Sequence, residues 1–323
     1  MNSQIELDNI IEAINKNDNI GIFTHISPDG DAIGSSLALY LGLKQLKKNV
    51  DIITDEYPNC FKFLTSIDEI KNTTKEHYDL AIALDCATKP RLYNPNNSFE
   101  QSSFSISIDH HASNTYFANL NYVEADSPAV SQTLVKILKR LNISITKEIG
   151  ECLMAGIITD SGGFRYNTVD SETFEFAASM LGIGVNISDI YYKTFDLKTK
   201  PQFDLTTIAT SRLKFFSKNR IAVTYITKDD FKKTKASVGD HEGIVNIGRN
   251  IENVEVSIFI REDEDGTYRV SLRSNKYVDV SEICKTFDGG GHARAAGCTV
   301  NTSLEDTIKL LVKEVNKNLW TVF

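Results

Sequence analysis

Three of the six histidines in this chain sit beside aspartates in four short runs whose spacing could hold metal. The first is His25-x-x-x-Asp29-x-Asp31, inside THISPDGDAIGSS. Asp85 follows DLAIAL, Asp109-His110-His111 follows FSISI, and Asp160 lies in IITDSGGFRY. A single aspartate after a strand is ordinarily a turn or cap residue, and a single buried histidine is ordinarily a hydrogen-bonded core residue. Four segments repeating the pairing argue for a metal centre instead. Pro28 and Gly30 let the first run turn tightly, so its two carboxylates can serve two neighbouring ions. Imidazole and carboxylate without thiolate suit manganese, magnesium, iron or cobalt better than structural zinc. His25, Asp29, Asp31, Asp85, His110 and Asp160 supply seven contacts if Asp85 bridges, which leaves open positions. Two such ions would activate water and clamp a phosphoryl oxygen, the chemistry of phosphoester hydrolysis.

The second half offers the run Asp288-Gly-Gly-Gly-His-Ala-Arg-Ala-Ala-Gly297. Glycines such as Gly290 and Gly291 expose backbone N–H groups that can cradle phosphate at a helix start. His292 and Arg294 add side chains able to contact it. Arg273 and Ser274 end the preceding strand and could add a guanidinium and a hydroxyl. Arg165 lies five residues beyond Asp160. The ordinary alternatives are a plain turn and a surface ion pair. His77 lies in a polar stretch and His241 between two acids, so both read as solvated. Cys86 has no base arranged for it.

These residues need a frame that gathers strand ends. Asn19–Thr24, Val50–Thr54, Asp79–Leu84 and Phe104–Ile108 read as strands, alternating with helical patterns over Ile33–Leu46, Val130–Leu141 and Glu148–Ile158. That alternation predicts a largely parallel sheet covered on both faces, whose ligands collect beyond the carboxyl ends of the strands. Beyond a polar stretch at Asn186–Pro201, strands are expected at Arg220–Thr227, Val254–Arg261 and Thr267–Arg273, with Asp265-Gly266 as a hairpin turn. The glycine run should precede a short helical segment, and Leu304–Leu319 reads as an amphipathic helix. The fold class is α/β, with a catalytic domain over 1–187, a helical linker over 188–205, a smaller α/β domain over 206–323, and a cleft between the domains.

Composition restricts the partners. The net charge is −8, without the basic footprint of a protein that holds long duplex nucleic acid. A short phosphorylated ligand remains compatible, with bound cations supplying local positive charge. No apolar run is long enough to span a membrane and no signal peptide is evident, so no membrane partner is expected. Five widely spaced cysteines form no CxxC pair, which fits reduced thiols in the cytoplasm.

The motifs His25-x-x-Pro28-Asp29-Gly30-Asp31, Asp85, Asp109-His110-His111 and Asp160-x-Gly162-x-Phe164-Arg165 resemble, in order, the four motifs of DHH-superfamily phosphoesterases. Gly289-Gly290-Gly291-His292 resembles the signature of the DHH-associated C-terminal domain. The similarity covers nearly the whole chain and is greatest to the bacterial oligoribonuclease and pAp phosphatase subfamily. Ser161 stands where that family commonly has threonine. The resemblance implies a manganese enzyme, with Mg2+ or Co2+ as substitutes, that degrades very short RNA (nanoRNA) and removes the 3′-phosphate of pAp. It assigns His25, Asp29 and Asp85 to one ion, and Asp31, Asp85, His110 and Asp160 to the second. Asp109 would orient the histidine pair, and His111 would contact phosphate or protonate the leaving oxygen. Arg165, Arg273, Ser274, Gly290, Gly291, His292 and Arg294 would line the substrate. Rival readings are a soluble cyclic di-AMP or linear pApA phosphodiesterase and a non-catalytic nucleotide-binding module; no ligand is missing, which disfavours the module. A homodimer is compatible with the sequence.

Overall fold

The computed structural model describes residues 2–263 and 265–319, and the chain divides into two compact units, the first ending at Leu197 and the second starting at Lys198. Strands of the first unit are β1 (Asn19–Phe23), β2 (Asn49–Ile53), β3 (Ile70–Lys71), β4 (Leu80–Leu84), β5 (Phe104–Asp109) and β6 (Leu120–Val123). Its α-helices are α1 (Asn2–Lys16), α2 (Gly30–Gln45), α3 (Val130–Arg140), α4 (Lys147–Asp160), α5 (Ser171–Gly182) and α6 (Ile187–Tyr191). Among the described residues the strands form one sheet in the order β3-β2-β1-β4-β5-β6, every pairing parallel. All five residues of β4 are buried, as expected of a central parallel strand covered on both faces. The order reverses between β1 and β4. That switch point opens a crevice beyond their carboxyl ends, and His25 and Asp85 follow those two strands.

Two glycines bring the helices behind this crevice together. A Cβ on Gly34 of α2 would lie 2.4 Å from the carbonyl oxygen of Cys152 in α4. A Cβ on Gly156 of α4 would lie 2.5 Å from Asp31 Oδ1 and 2.0 Å from Ser131 Oγ. The backbones therefore approach closely enough for Asp31 and Asp160, from different helices, to face one centre.

The second unit contains α7 (Lys200–Ser211), α8 (Lys228–Thr234), α9 (Ile244–Arg249), α10 (Val280–Lys285) and α11 (Leu304–Leu319). Its strands are β7 (Lys214–Phe216), β8 (Ile221–Ile226), β9 (Val256–Glu262), β10 (Tyr268–Ser274), β11 (Gly290–His292) and β12 (Ala295–Val300). They form a sheet in the order β11-β12-β10-β9-β8-β7, parallel only between β8 and β9 among the described residues. One face packs Val280, Ile283, Leu311 and Val315 of α10 and α11 against the strands. The other packs Leu205 and Ala209 of α7 and Ile244 and Val245 of α9 on Ile226 and Phe259.

Sequence and structure differ at several places. The helix α1 and the short strands β3 and β6 were not expected; β3 has two residues and β6 carries Asn121, so neither shows a clear strand pattern. The glycine run does not open a helix. Gly290, Gly291 and His292 form β11, paired antiparallel with Gly297, Ala296 and Ala295. Small residues on both sides make this approach possible, since a Cβ on Gly291 would lie 2.6 Å from Ala296 Cα. Phosphate binding there cannot use a helix dipole. Among the described residues, no helix is long and apolar enough to cross a membrane.

Candidate metal centre

Each predicted ligand in the first unit is placed by an element end. Asp29 is the N-cap of α2, its Oδ1 accepting the N–H groups of Asp31 (3.0 Å) and Ala32 (3.1 Å). Asp31 lies in the first turn of α2 and is fully buried. Asp85 leaves β4 at φ 54°, a left-handed conformation that costs a non-glycine residue about 1–3 kcal/mol and needs its surroundings to hold it. Asp160 is the last residue of α4.

The side chains form three overlapping groups whose candidate ligand atoms lie within 4.8 Å of one another: His25, Asp29 and Asp85; Asp31, His110 and Asp160; and Asp85, His110 and His111. Asp85 is 2% exposed and stands between the first two. Its Oδ2 is 3.6 Å from His25 Nε2 and its Oδ1 3.4 Å from His110 Nε2. His110 Nε2 is also 3.1 Å from Asp160 Oδ2.

The histidine rings are fixed from behind. His25 Nδ1 lies 2.9 Å from the Ile26 carbonyl oxygen, and His110 Nδ1 lies 3.0 Å from that of Ser127. A carbonyl only accepts, so each Nδ1 carries the hydrogen and each neutral ring turns the Nε2 lone pair towards the carboxylates. Lone pairs facing carboxylates repel unless a cation lies between them. Asp85 Oδ1 is also buried without a hydrogen-bond donor. These donors therefore fit divalent ions bound by oxygen and imidazole.

The electrostatics express the same demand. Burial would lower His25 and His110, but Asp29 and Asp85 raise His25 to about 10, and Asp160 and Asp85 raise His110 to about 12. Burial and then the charges of Asp85 and Asp160 push Asp31 far up. Burial, reinforced by Asp85 and Asp29, lifts Asp160 to about 6. Burial opposes ionisation of Asp85, yet His110 and His25 hold it well below the usual carboxylate range. Protons occupy the positive role that a cation would take.

His111 is set differently. Its Nδ1 donates to Asp109 Oδ1 at 2.8 Å, and Asp109 is fully buried. Asn114, which the sequence reading overlooked, donates from Nδ2 to Asp109 Oδ2 at 2.6 Å and to the Cys86 carbonyl at 3.3 Å. Its place five residues after Asp109, in Asp-His-His-x-x-Asn, is the available signal. Arg91 was also overlooked: its carbonyl accepts the Ile26 N–H at 2.8 Å, tying an exposed basic loop beside His25. Arg165 is exposed, with Nε donating to Gly162 O at 2.5 Å.

The remaining predicted substrate residues belong to the second unit. Ser274 is buried and its Oγ donates to Ala293 O at 3.3 Å. Arg294 Nη1 donates to Val278 O at 2.9 Å and Ser274 Oγ at 3.4 Å, so this side chain ties strand ends together. Arg273 Nη1 donates to Leu272 O at 3.0 Å. Gly290, Gly291 and His292 are exposed. His77 is tied to Gln101 O and Ser103 Oγ at 3.0 Å, and His241 stacks on Phe259, so both have structural contacts outside the metal cluster. Cys86 Sγ donates to Thr88 O, and burial pushes the thiol up to about 12.

Comparisons with known proteins show the family. The model of the DHH family, N-terminal domain, matches residues 19–157, and that of the DHHA1 domain matches residues 218–321. The bifunctional oligoribonuclease and PAP phosphatase NrnA of Thermus thermophilus is 32% identical over 305 residues, covering 93% of this chain and 90% of that protein. The protein of the same name from Bacillus subtilis is 25% identical over 300 residues, covering 90% and 92%. The crystal structure of an exopolyphosphatase-related protein from Bacteroides fragilis superposes with a TM-score of 0.90 at 28% identity, covering 97% of this chain and 96% of that one. The chain belongs to the DHH family: it is a phosphoesterase whose DHH domain is followed by a DHHA1 domain.

Proposed function

We propose that this enzyme hydrolyses very short RNA oligonucleotides and removes the 3′-phosphate of pAp in the cytoplasm, using two divalent ions, manganese first among them. The observation that carries the chemistry is the gathering of two Nε2 lone pairs and three further carboxylates around Asp85, whose buried Oδ1 lacks a donor. The substrate reading is supported by the names of relatives that match most of both chains.

His25, Asp29 and Asp85 would hold one ion, and Asp31, Asp85, His110 and Asp160 the other. Bound there, the ions would supply Lewis acidity and an activated water. The protein's own groups orient and move protons. Ile26 O and Ser127 O keep His25 and His110 in the tautomer that presents Nε2. Asp109 favours the protonated form of His111, although burial opposes it. His111 Nε2 then points away from Asp109 with a proton to give to the leaving oxygen. Arg165, Arg273, Ser274, Gly290, Gly291, His292 and Arg294 would bind the nucleotide and its terminal phosphate. The exposed His292 and the backbone of β11 contribute directly, and Arg294 holds Ser274 in place.

A parallel assay decides the substrate. The full-length protein with manganese is offered pAp, pApA, cyclic di-AMP and a five-nucleotide RNA, beside an Asp85→Ala control. Phosphate release from pAp and mononucleotide release from the short RNA, both absent in the control, are expected. Exclusive turnover of cyclic di-AMP or pApA would replace this substrate reading, and no turnover of any member would end it.

A further inference from the structure

Two cysteines meet beneath the Gly289–His292 segment. Cys284 on α10 is fully buried, and Cys298 on β12 is 8% exposed. Both belong to the apolar cluster on one face of the second sheet. Gly289, hydrogen-bonded to Cys284 and packed on Cys298, brings the two residues together. Donation towards Cys298 pushes Cys284 up, with burial adding to the effect, while the same contact brings Cys298 down against its burial. Burial pushes Cys86 and Cys152 up, so neither has this assistance.

Gly289 is pinned between the pair. Its N–H donates to the Cys284 carbonyl at 2.9 Å. A Cβ on Gly289 would lie 2.5 Å from Cys298 Cβ and 2.3 Å from Gly297 O, so the segment has no slack on that side. The next residues form the exposed strand β11. Cys298 lies in a strand whose residues 295–300 all pair with β10, which makes it the fixed partner. Closing the sulfurs to a bond of about 2.05 Å must therefore draw in the end of α10, and Gly289 with it.

We propose that Cys284 and Cys298 form a peroxide-oxidisable pair whose disulfide displaces the Gly289–His292 segment and weakens substrate capture. The Cys298 thiolate attacks peroxide, the O–O bond breaks, and the departing hydroxide takes up a proton to leave as water. Cys284 sulfur then attacks the resulting sulfenic acid, and the second hydroxide leaves as water with the Cys284 proton. Two thiols and one peroxide become one disulfide and two waters. The effect on substrate rests on the function proposed above; the disulfide and the movement do not.

The test treats reduced full-length protein with hydrogen peroxide. Peptide mapping without reductant should recover a Cys284–Cys298 cross-link lighter by two hydrogens. Amide exchange across Gly289–His292 should differ between the two forms. KM for the five-nucleotide RNA should rise about tenfold while kcat stays within about twofold, a binding effect reversed by dithiothreitol. Cys284→Ala and Cys298→Ala should each keep the reduced KM after peroxide. Oxidation at other cysteines without this cross-link overturns the proposal, as does a cross-link with unchanged exchange or unchanged KM. If no form cleaves short RNA, mapping and exchange on the unsubstituted protein still decide the disulfide and the movement, and the substrate reading alone fails.

Discussion

Asp31 caps a helix that begins 99 residues after it: its Oδ2 accepts the N–H of Val130 and its Oδ1 that of Ser131, the latter at 2.9 Å. The residue at the N-cap position of α3, Ala129, makes no side-chain cap hydrogen bond. One carboxylate thus faces the candidate metal centre and satisfies the first turn of α3. The two duties separate by substitution. Asp31→Asn keeps an acceptor oxygen but loses the charge; Asp31→Ala loses both. In metal-free protein, Asp31→Ala should cost about 1–2 kcal/mol in denaturant melts beyond any change in Asp31→Asn. Both should lose manganese-dependent turnover. Equal stability of the two variants would contradict the capping role.

Gly156 tests how closely α2 and α4 must approach. An added methyl would meet Asp31 Oδ1 and Ser131 Oγ well inside contact distance. Gly156→Ala should cost about 1–3 kcal/mol through overpacking and reduce manganese affinity measured by calorimetry. Unchanged affinity would show that Asp31 can move without consequence.

Asn114 reaches the reaction through Asp109 and His111. Asn114→Ala should lower kcat by about 10- to 100-fold, the usual scale for a partner that orients a site residue, with a smaller change in KM. Stoichiometric manganese binding should persist, because Asn114 touches none of the proposed ligands. A loss of metal binding in place of kcat would assign it a different role.

The second unit carries its own acid-sensitive tie. Arg212 grips the Asp230 carboxylate with both Nη atoms, Nη2 at 2.9 Å, and Thr227 donates to it from N and Oγ1 at 2.7 Å. Burial would raise Asp230, but these donors hold it below the usual carboxylate range. A carboxylate depressed in the folded state stabilises fully above its unfolded value, near pH 4, and loses that contribution as pH falls through the folded value. Thermal melts of the unsubstituted protein should therefore drop below about pH 4 partly through this residue. Asp230→Asn should melt lower at pH 7, by about 2–4 kcal/mol, and show a shallower acid slope. Parallel acid slopes would assign the sensitivity elsewhere.

Much of the first unit is legible because its signals are local. NIGIFT, DLAIAL and FSISI read as buried strands, and each is followed by a residue of the cluster. The geometry of Asp31 is not local: its backbone donors come from α3, and no spacing rule connects residue 31 with residue 130. Asn114 was missed because an asparagine after a turn is ordinarily a turn residue, and only the fold places its amide on Asp109. The glycine run misled for a physical reason. Gly-Gly-Gly-His permits either a phosphate-cradling loop at a helix start or a tight hairpin, and the small residues Ala295–Gly297 decide for the hairpin by pairing with it. Arg294 Nη1 also ties Val278 and Ser274, a structural role that its place beside the glycine run does not reveal.

The switch point between β1 and β4 also fixes how the site exchanges its contents. Both strands are interior, hydrogen-bonded on each side, so the floor beneath His25 and Asp85 should protect its amides until the unit unfolds as a whole. The rim is softer: the side chains of Asp29 and His111 are 54% and 36% exposed. Ions and products therefore have a door at Asp29 and His111 and none through the sheet. Replacing those two side chains should alter how fast the site fills and empties, while leaving the slowest-exchanging amides of β1 and β4 untouched.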